Sequence, residues 1–255
     1  MFKRLKARLA AMRNRGDYPW LVDNLAVVDA QARWLRQRWD LRDYDPDDWR
    51  GLNDDPTKVV QWVFDSYRGA LAPLQSRAEL TEFAQMAKSH APKTVLEIGT
   101  ARGGTFLVLC RMAANDARII SIDLPAGLGG GGYPEWKIPI LRSFAKKGQT
   151  IELLRVDSHL DETFKKVKSI LGEQQIDLLF IDADHSYSGA LSDFKRYSTL
   201  VCPGGLICMH DVVPNPHSDV IEVDRVWDEV SQGRNATTIR DPANIPGFGI
   251  GVLKV

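Results

Sequence analysis

Five short apolar segments, each rich in β-branched residues and followed by a helical or loop stretch, constrain this chain more than anything else in it. They are TVLEIG (94–99), RIISID (118–123), TIELLRV (150–156), IDLLFID (176–182) and GLICMHD (205–211). Runs of this length and composition read as strands. Strands separated by helices pair in parallel, so the alternation predicts a doubly wound α/β sheet whose ligands bind beyond the carboxyl ends of its strands. The polar residues fall where such a sheet uses them: Glu97 and Gly99, Asp123, Asp157, Asp182 and the pair His210–Asp211 all stand at or just past a strand end.

With 255 residues, 44% hydrophobic and 26% charged, the chain has the composition of an ordinary globular protein with one generous core. Its 33 basic residues balance its 33 acidic ones, so no overall field draws it to nucleic acid, and no nucleic-acid partner is expected. Cys110, Cys202 and Cys208 are an odd number without a paired zinc spacing, which argues against a disulfide framework and against structural zinc. No apolar run approaches the roughly 18 residues needed to span a bilayer, and the start lacks the apolar stretch of a signal peptide. A cytoplasmic location is expected.

Residues 1–71 read as a helical N-terminal extension and residues 72–255 as the functional domain. At the start, Phe2, Leu5, Leu9 and Met12 lie at helical spacing beneath Lys3, Arg4, Lys6, Arg8, Arg13 and Arg15. The pattern reads first as a docked or frayed terminal helix, and is also compatible with contact of residues 1–15 with an anionic membrane surface. Residues 21–39 form a second helical pattern, and RDYDPDDWRGLNDDP (42–56) reads as a solvated linker whose acids lack calcium-loop spacing. Trp34, Trp39, Trp49 and Trp62 need burial, so the extension is expected either to make a homo-oligomer or to cover the acceptor pocket. A helix near Arg77–Ser89 then opens the domain.

Around the first strand, Val95-Leu-Glu-Ile-Gly-Thr-Ala-Arg-Gly-Gly-Thr105 runs from strand through glycine turn to helix. Gly99, Gly103 and Gly104 let the backbone turn tightly and approach a ligand. A dinucleotide fingerprint would carry a glycine where Ala101 stands, and Glu97 suits a positively charged ligand better than a pyrophosphate. Asp123, at the end of the second strand, has the offset of an acid that receives ribose hydroxyls, and Asp157-Ser158 can meet an adenine edge. These residues suggest a ligand with an adenosine and no phosphate.

At these motifs the chain resembles class I S-adenosylmethionine-dependent methyltransferases, and within them an O-methyltransferase-like family with E-I-G-T-x-x-G-G, S-I-D-L-P, D-A-D-H-S-Y and G-G-x-x-x-x-H-D. The likeness runs in order from about Ala72 to Val255. It implies a mostly parallel, seven-stranded Rossmann-like sheet with a final antiparallel strand near FGIGVLKV. It also implies S-adenosyl-L-methionine as cofactor, held by Glu97, Gly99, Thr100, Gly103, Gly104, Asp123, Asp157 and Ser158. The acceptor is then a small hydroxylated molecule: a sugar, a polyol or a phenolic metabolite.

An alcohol is a poor nucleophile until it loses its proton, and a base or a divalent metal can bring that about. Asp182 and His185 close the fourth strand, and His210 and Asp211 close the fifth, so the two clusters should be neighbours. By the resemblance Asp182, His210 and Asp211 stand at metal-holding positions, with His210 where an acid is usual. That substitution favours manganese or a similar ion over magnesium. His185, His210 and Asp182 are the candidate catalytic groups, with His185 or His210 as the metal-free base. The loop LPAGLGGGGYPEWKIPI reads as a lid, hinged at Gly127 and Gly129–Gly132, with Tyr133 and Trp136 as its cover. A nucleotide-sugar or nicotinamide enzyme on the same framework, and a non-catalytic cofactor-binding module, are the competing readings.

Overall fold

The computed structural model describes residues 31–125, 132–216, 218, 220–243 and 245–255. Residues 31–40 are helical, and the rest of the pattern expected over 21–39 lies outside the described residues, as does the basic segment 1–15. The helices that follow are α1 (Pro56–Asp65), α2 (Arg77–His90), α3 (Gly104–Met112), α4 (Ile138–Ser143), α5 (Asp161–Leu171), α6 (Tyr187–Tyr197) and α7 (Val223–Ser231). The strands are β1 (Thr94–Ile98), β2 (Arg118–Ile122), β3 (Thr150–Leu154), β4 (Ile176–Ile181), β5 (Val201–His210), β6 (Ala236–Ile239) and β7 (Ile250–Lys254).

Among the described residues they build one seven-stranded sheet in the order β3-β2-β1-β4-β5-β7-β6. β1 through β5 pair in parallel, and β7 runs antiparallel to both β5 and β6. The doubly wound sheet is therefore present, with its antiparallel strand where FGIGVLKV pointed. β6 was not expected from the sequence, because ATTI is short, polar on one side and half-exposed.

Strand residues alternate between two buried faces, as helices on both sides of a parallel sheet require. Val95, Ile119, Leu178 and Phe180 pack with α1, α2 and α3, whereas Leu96, Ile120, Leu179 and Ile181 pack with α5, α6 and α7. The stretch expected to be a solvated linker is instead docked. Leu41 and Trp49 are buried in the first of these cores. Asp54 bonds the Arg111 guanidinium (Nε at 2.6 Å) and lies 3.1 Å from Lys146 Nζ, and Arg111 stacks on Trp49. Six aspartates in fifteen residues obscured this, because the partners of Asp54 lie far along the chain. Trp62 is half-buried, whereas Trp39 and Leu35 are exposed. No helix among the described residues is long and apolar enough to cross a membrane.

α3 is anchored where the glycine turn passes under the segment that precedes α2. A Cβ on Gly104 would lie 2.2 Å from the Leu71 carbonyl oxygen and 2.7 Å from Pro73 Cδ. Backbone cannot yield as a flexible side chain can, so Gly104→Ala should cost about 2–3 kcal/mol and lower the melting temperature by about 5–10 °C. Thermal unfolding followed by circular dichroism checks this; an unchanged midpoint would show that the close approach is not a constraint.

Candidate active site

The order of the sheet reverses between β1 and β4, and ligands of open α/β sheets bind at such a crossover. Here the two strand ends almost touch. Asp182 N donates to Ile98 O (2.8 Å), and Gly99 N to Ile122 O (2.9 Å). Gly99 has φ +97°, and a Cβ on it would lie 1.9 Å from the Asp182 carbonyl oxygen, so no other residue fits.

On the β1–β2 side, Glu97 is fully buried. Thr100 Oγ1 donates to its Oε2 (2.5 Å) and lies 2.6 Å from Ser121 Oγ, while Glu97 Oε1 is buried with no hydrogen-bond partner. Burial pushes the Glu97 carboxyl well above the usual carboxylate range, and the charges of Asp123 and Asp182 reinforce the shift. Asp123 accepts from Ala101 N (2.6 Å) and from the backbone N–H groups of Gly132, Thr100 and Leu124, and burial outweighs these bonds to push it up to about 6. Gly103 (φ +88°) caps α3 against Leu141, and Gly104 meets Leu71, so both glycines answer to packing within the protein. Asp157 and Ser158 follow β3: Asp157 Oδ1 accepts from His159 N (2.8 Å), and the Ser158 carbonyl accepts from Tyr197 OH (2.8 Å).

On the β4–β5 side, two imidazoles share two carboxylates. His185 Nε2 lies 3.3 Å from Asp182 Oδ1 and 3.2 Å from Asp211 Oδ2. His210 Nδ1 lies 3.4 Å from Asp182 Oδ1 and 3.1 Å from Asp211 Oδ1. His210 is buried and its Nε2 faces Glu79 Oε1 at 3.3 Å, whereas the His185 side chain keeps 38% of its surface. Burial alone would raise Asp182, but the charge of His210 and the bond from His185 hold it well below the carboxylate range. Burial pushes Asp211 up to about 6, and both histidines are raised above their usual range because the neighbouring acids outweigh desolvation. Asp211 sits at φ +62°, a conformation aspartate tolerates better than most residues.

The expected cluster of Asp182, His185, His210 and Asp211 is thus brought together. Among the described residues the trio whose donor atoms converge is Asp182, His185 and Asp211, with His185 where His210 was expected. Two members had not been singled out. Gln75 Nε2 donates to Asp182 Oδ2 (2.6 Å), and Glu79 accepts from Gly249 N (2.7 Å) as well as facing His210. Glu79 also completes a capping box with Ser76, a signal that reads as helix capping alone.

Two cavities, of about 520 and 400 Å³, flank the Pro214–Pro216 stretch that leaves Asp211. The smaller is lined by Val213, Ile245, Phe248 and Arg240 among others, and the Phe248 ring meets His210 edge-on. Of the expected lid, Gly127 and Gly129–Gly131 lie outside the described residues, Tyr133 is buried in the core and Trp136 is half-buried against it.

Comparison with known proteins gives this architecture its class. Residues 96–212 match the family described as a methyltransferase domain. The fold is also that of an O-methyltransferase, TomG, from Streptomyces achromogenes (20% identity, TM-score 0.51, covering 79% of this chain and 89% of that one). An O-methyltransferase from Bacillus cereus is similar too (18% identity, TM-score 0.54, 78% and 90% covered). No curated protein matches the chain in sequence. The chain therefore has a Rossmann-like sheet whose central stretch, residues 96–212, is similar to a methyltransferase domain.

The raised Glu97 makes a test that needs no ligand. The folded chain keeps a proton there that the unfolded chain releases above about pH 4.3, so ionisation disfavours the fold as pH rises. Glu97→Gln should therefore melt higher than the wild type at pH 7.5, and the gap should close towards pH 4. Equal melting temperatures at both pH values would show that the carboxyl is not held neutral.

Proposed function

We propose that this chain transfers the methyl group of S-adenosylmethionine to a hydroxyl oxygen of a small acceptor, a sugar, polyol or phenolic metabolite. One observation carries the reading: at a single crossover of the sheet, an unpartnered buried carboxylate oxygen stands beside a cluster of two imidazoles and two carboxylates. A buried polar atom left unpaired costs free energy, and a cationic ligand group would satisfy Glu97 Oε1. The solved structures of the Streptomyces achromogenes and Bacillus cereus enzymes are described as complexes with S-adenosylmethionine and S-adenosylhomocysteine, which supports the choice of ligand.

When bound, S-adenosylmethionine supplies an electrophilic methyl group on a sulfonium, and alignment and proton removal fall to the protein. Glu97 takes the amino group of the cofactor, Asp123 its ribose hydroxyls, and Asp157 and Ser158 its adenine. Gly99, Thr100, Gly103 and Gly104 shape the turn beneath it. On the acceptor side His185 is the exposed member of the cluster, and its Nε2 receives the hydroxyl proton while Asp182 and Asp211 stabilise the imidazolium that forms. His210 holds the same two carboxylates from behind. Asp182, His185 and Asp211 also fit a divalent ion, their mixed donors suiting manganese better than magnesium, and such an ion would lower the pKa of a bound hydroxyl. The two uses of His185 exclude each other.

Calorimetric titration with S-adenosylhomocysteine tests the cofactor half. Asp123→Asn should weaken binding by about tenfold or more, the equivalent of one charge-assisted hydrogen bond. A wild-type protein that does not bind the ligand overturns the proposal. With labelled S-adenosylmethionine and a panel of hydroxylated acceptors, His185→Ala should abolish turnover and leave cofactor affinity intact. Loss of activity on chelation, restored by manganese, assigns His185 to the ion; activity indifferent to chelation assigns it to the proton.

A further inference from the structure

Helix α6 grips the turn after β3 with two side chains one helical turn apart. Tyr197 OH donates to the Ser158 carbonyl. Asp193 is fully buried, and neither of its carboxylate oxygens has a hydrogen-bond partner. The group facing it is His159, whose Nε2 lies 3.5 Å from Asp193 Oδ1. On its other side His159 Nδ1 lies 3.7 Å from Asp157 Oδ1, the oxygen that also accepts from the His159 backbone N–H. The neighbouring Arg196 is turned outward to Asp161 (2.7 Å). A buried carboxylate without hydrogen bonds is tolerated only where a charge faces it. Neither half of the proposed chemistry uses Asp193.

We propose that Asp193 is a positioning residue for the cofactor: its buried carboxylate draws in the protonated imidazole of His159 and so fixes the Asp157–Ser158–His159 turn in the shape that receives the adenine. The inference rests on the reading of Asp157 and Ser158 as adenine residues. His159 is faced by Asp193 from α6, by Asp157 from its own turn and by Asp184 from the loop after β4. Contact with Asp193, outweighing burial and helped by Asp157 and Asp184, pushes the imidazole up to about 9. Raised in the folded state, it keeps its charge at neutral pH and loses it only as pH rises through that value. Without the Asp193 charge it should titrate nearer the ordinary 6.5 or so.

The probe is 5′-methylthioadenosine, which carries the adenosine half of the cofactor but no amino group to titrate in the same range. Wild-type affinity should hold to about pH 8 and fall as pH passes about 9. At pH 8 Asp193→Asn should bind about tenfold more weakly than the wild type, and at pH 5.5 the two should agree. His159→Gln should be weak at both, and the double variant no weaker than His159→Gln. Histidine NMR should show the His159 titration move down by more than one pH unit in Asp193→Asn, with melting curves confirming that the variant is folded. Turnover at saturating S-adenosylmethionine should be unchanged. Equal affinity of Asp193→Asn and wild type at pH 8, or a loss that is the same at every pH, overturns the proposal while leaving the methyltransferase reading intact. A flat wild-type profile through pH 9 overturns it without any variant. Failure of the wild type to bind either the probe or S-adenosylhomocysteine overturns both.

Discussion

The approach of Gly99 to the Asp182 carbonyl is the contact on which the rest of the site depends. It sets the distance between the end of β1, which carries the glycine turn, and the end of β4, which carries Asp182 and leads to His185. Were the strands parted by the width of a side chain, the buried carboxyl of Glu97 and the imidazole cluster would belong to separate sites. The crossover brings the two halves close, and the missing Cβ brings them into register.

The β4–β5 side is a problem in charge balance. Three acids, Glu79, Asp182 and Asp211, surround two histidines in a mostly buried space, and each imidazole separates two carboxylates that would otherwise repel. Asp182 is held down and Asp211 pushed up by the same surroundings, because the charge of His210 and the bonds from both histidines outweigh burial at Asp182, whereas burial prevails at Asp211 and the charges of Asp182 and Glu79 add to it. Two carboxyls with pKa values driven apart within one cluster is an arrangement suited to moving a proton.

Much of this could be read in the chain. The strand ends were legible because buried parallel strands are short apolar runs, and the residues placed there by spacing, from Glu97 to Asp211, lie at or just past the ends of β1 to β5. What could not be read came from contacts between distant segments. Glu79 and Gln75 belong to α2 and the turn before it, and nothing near them in sequence signals that β4, β5 and the Gly249 loop close over them. Asp193 looks like an exposed helix acid beside Lys195 and Arg196 until the β3 turn is packed against it. The docking of Asp54 and Trp49 was hidden by an acidic composition that elsewhere means solvent. Gly103 and Gly104 were read as serving a ligand; the left-handed backbone at Gly103 and the Leu71 carbonyl against Gly104 already favour glycine at both.

The cluster of histidines and acids is tied to α2 and to the Gly249 loop by contacts between residues far apart in the chain. Gln75 and Asp182 are separated by 107 positions, Glu79 and His210 by 131, and Glu79 and Gly249 by 170. Such contacts give up the most loop entropy and form late, after neighbouring strands and helices have assembled. Because they are few and polar, these contacts should open on mild heating or in dilute denaturant before the sheet does. The sheet and the cluster at its edge can thus come apart separately, and the cluster hangs on a few polar contacts around one buried glutamate.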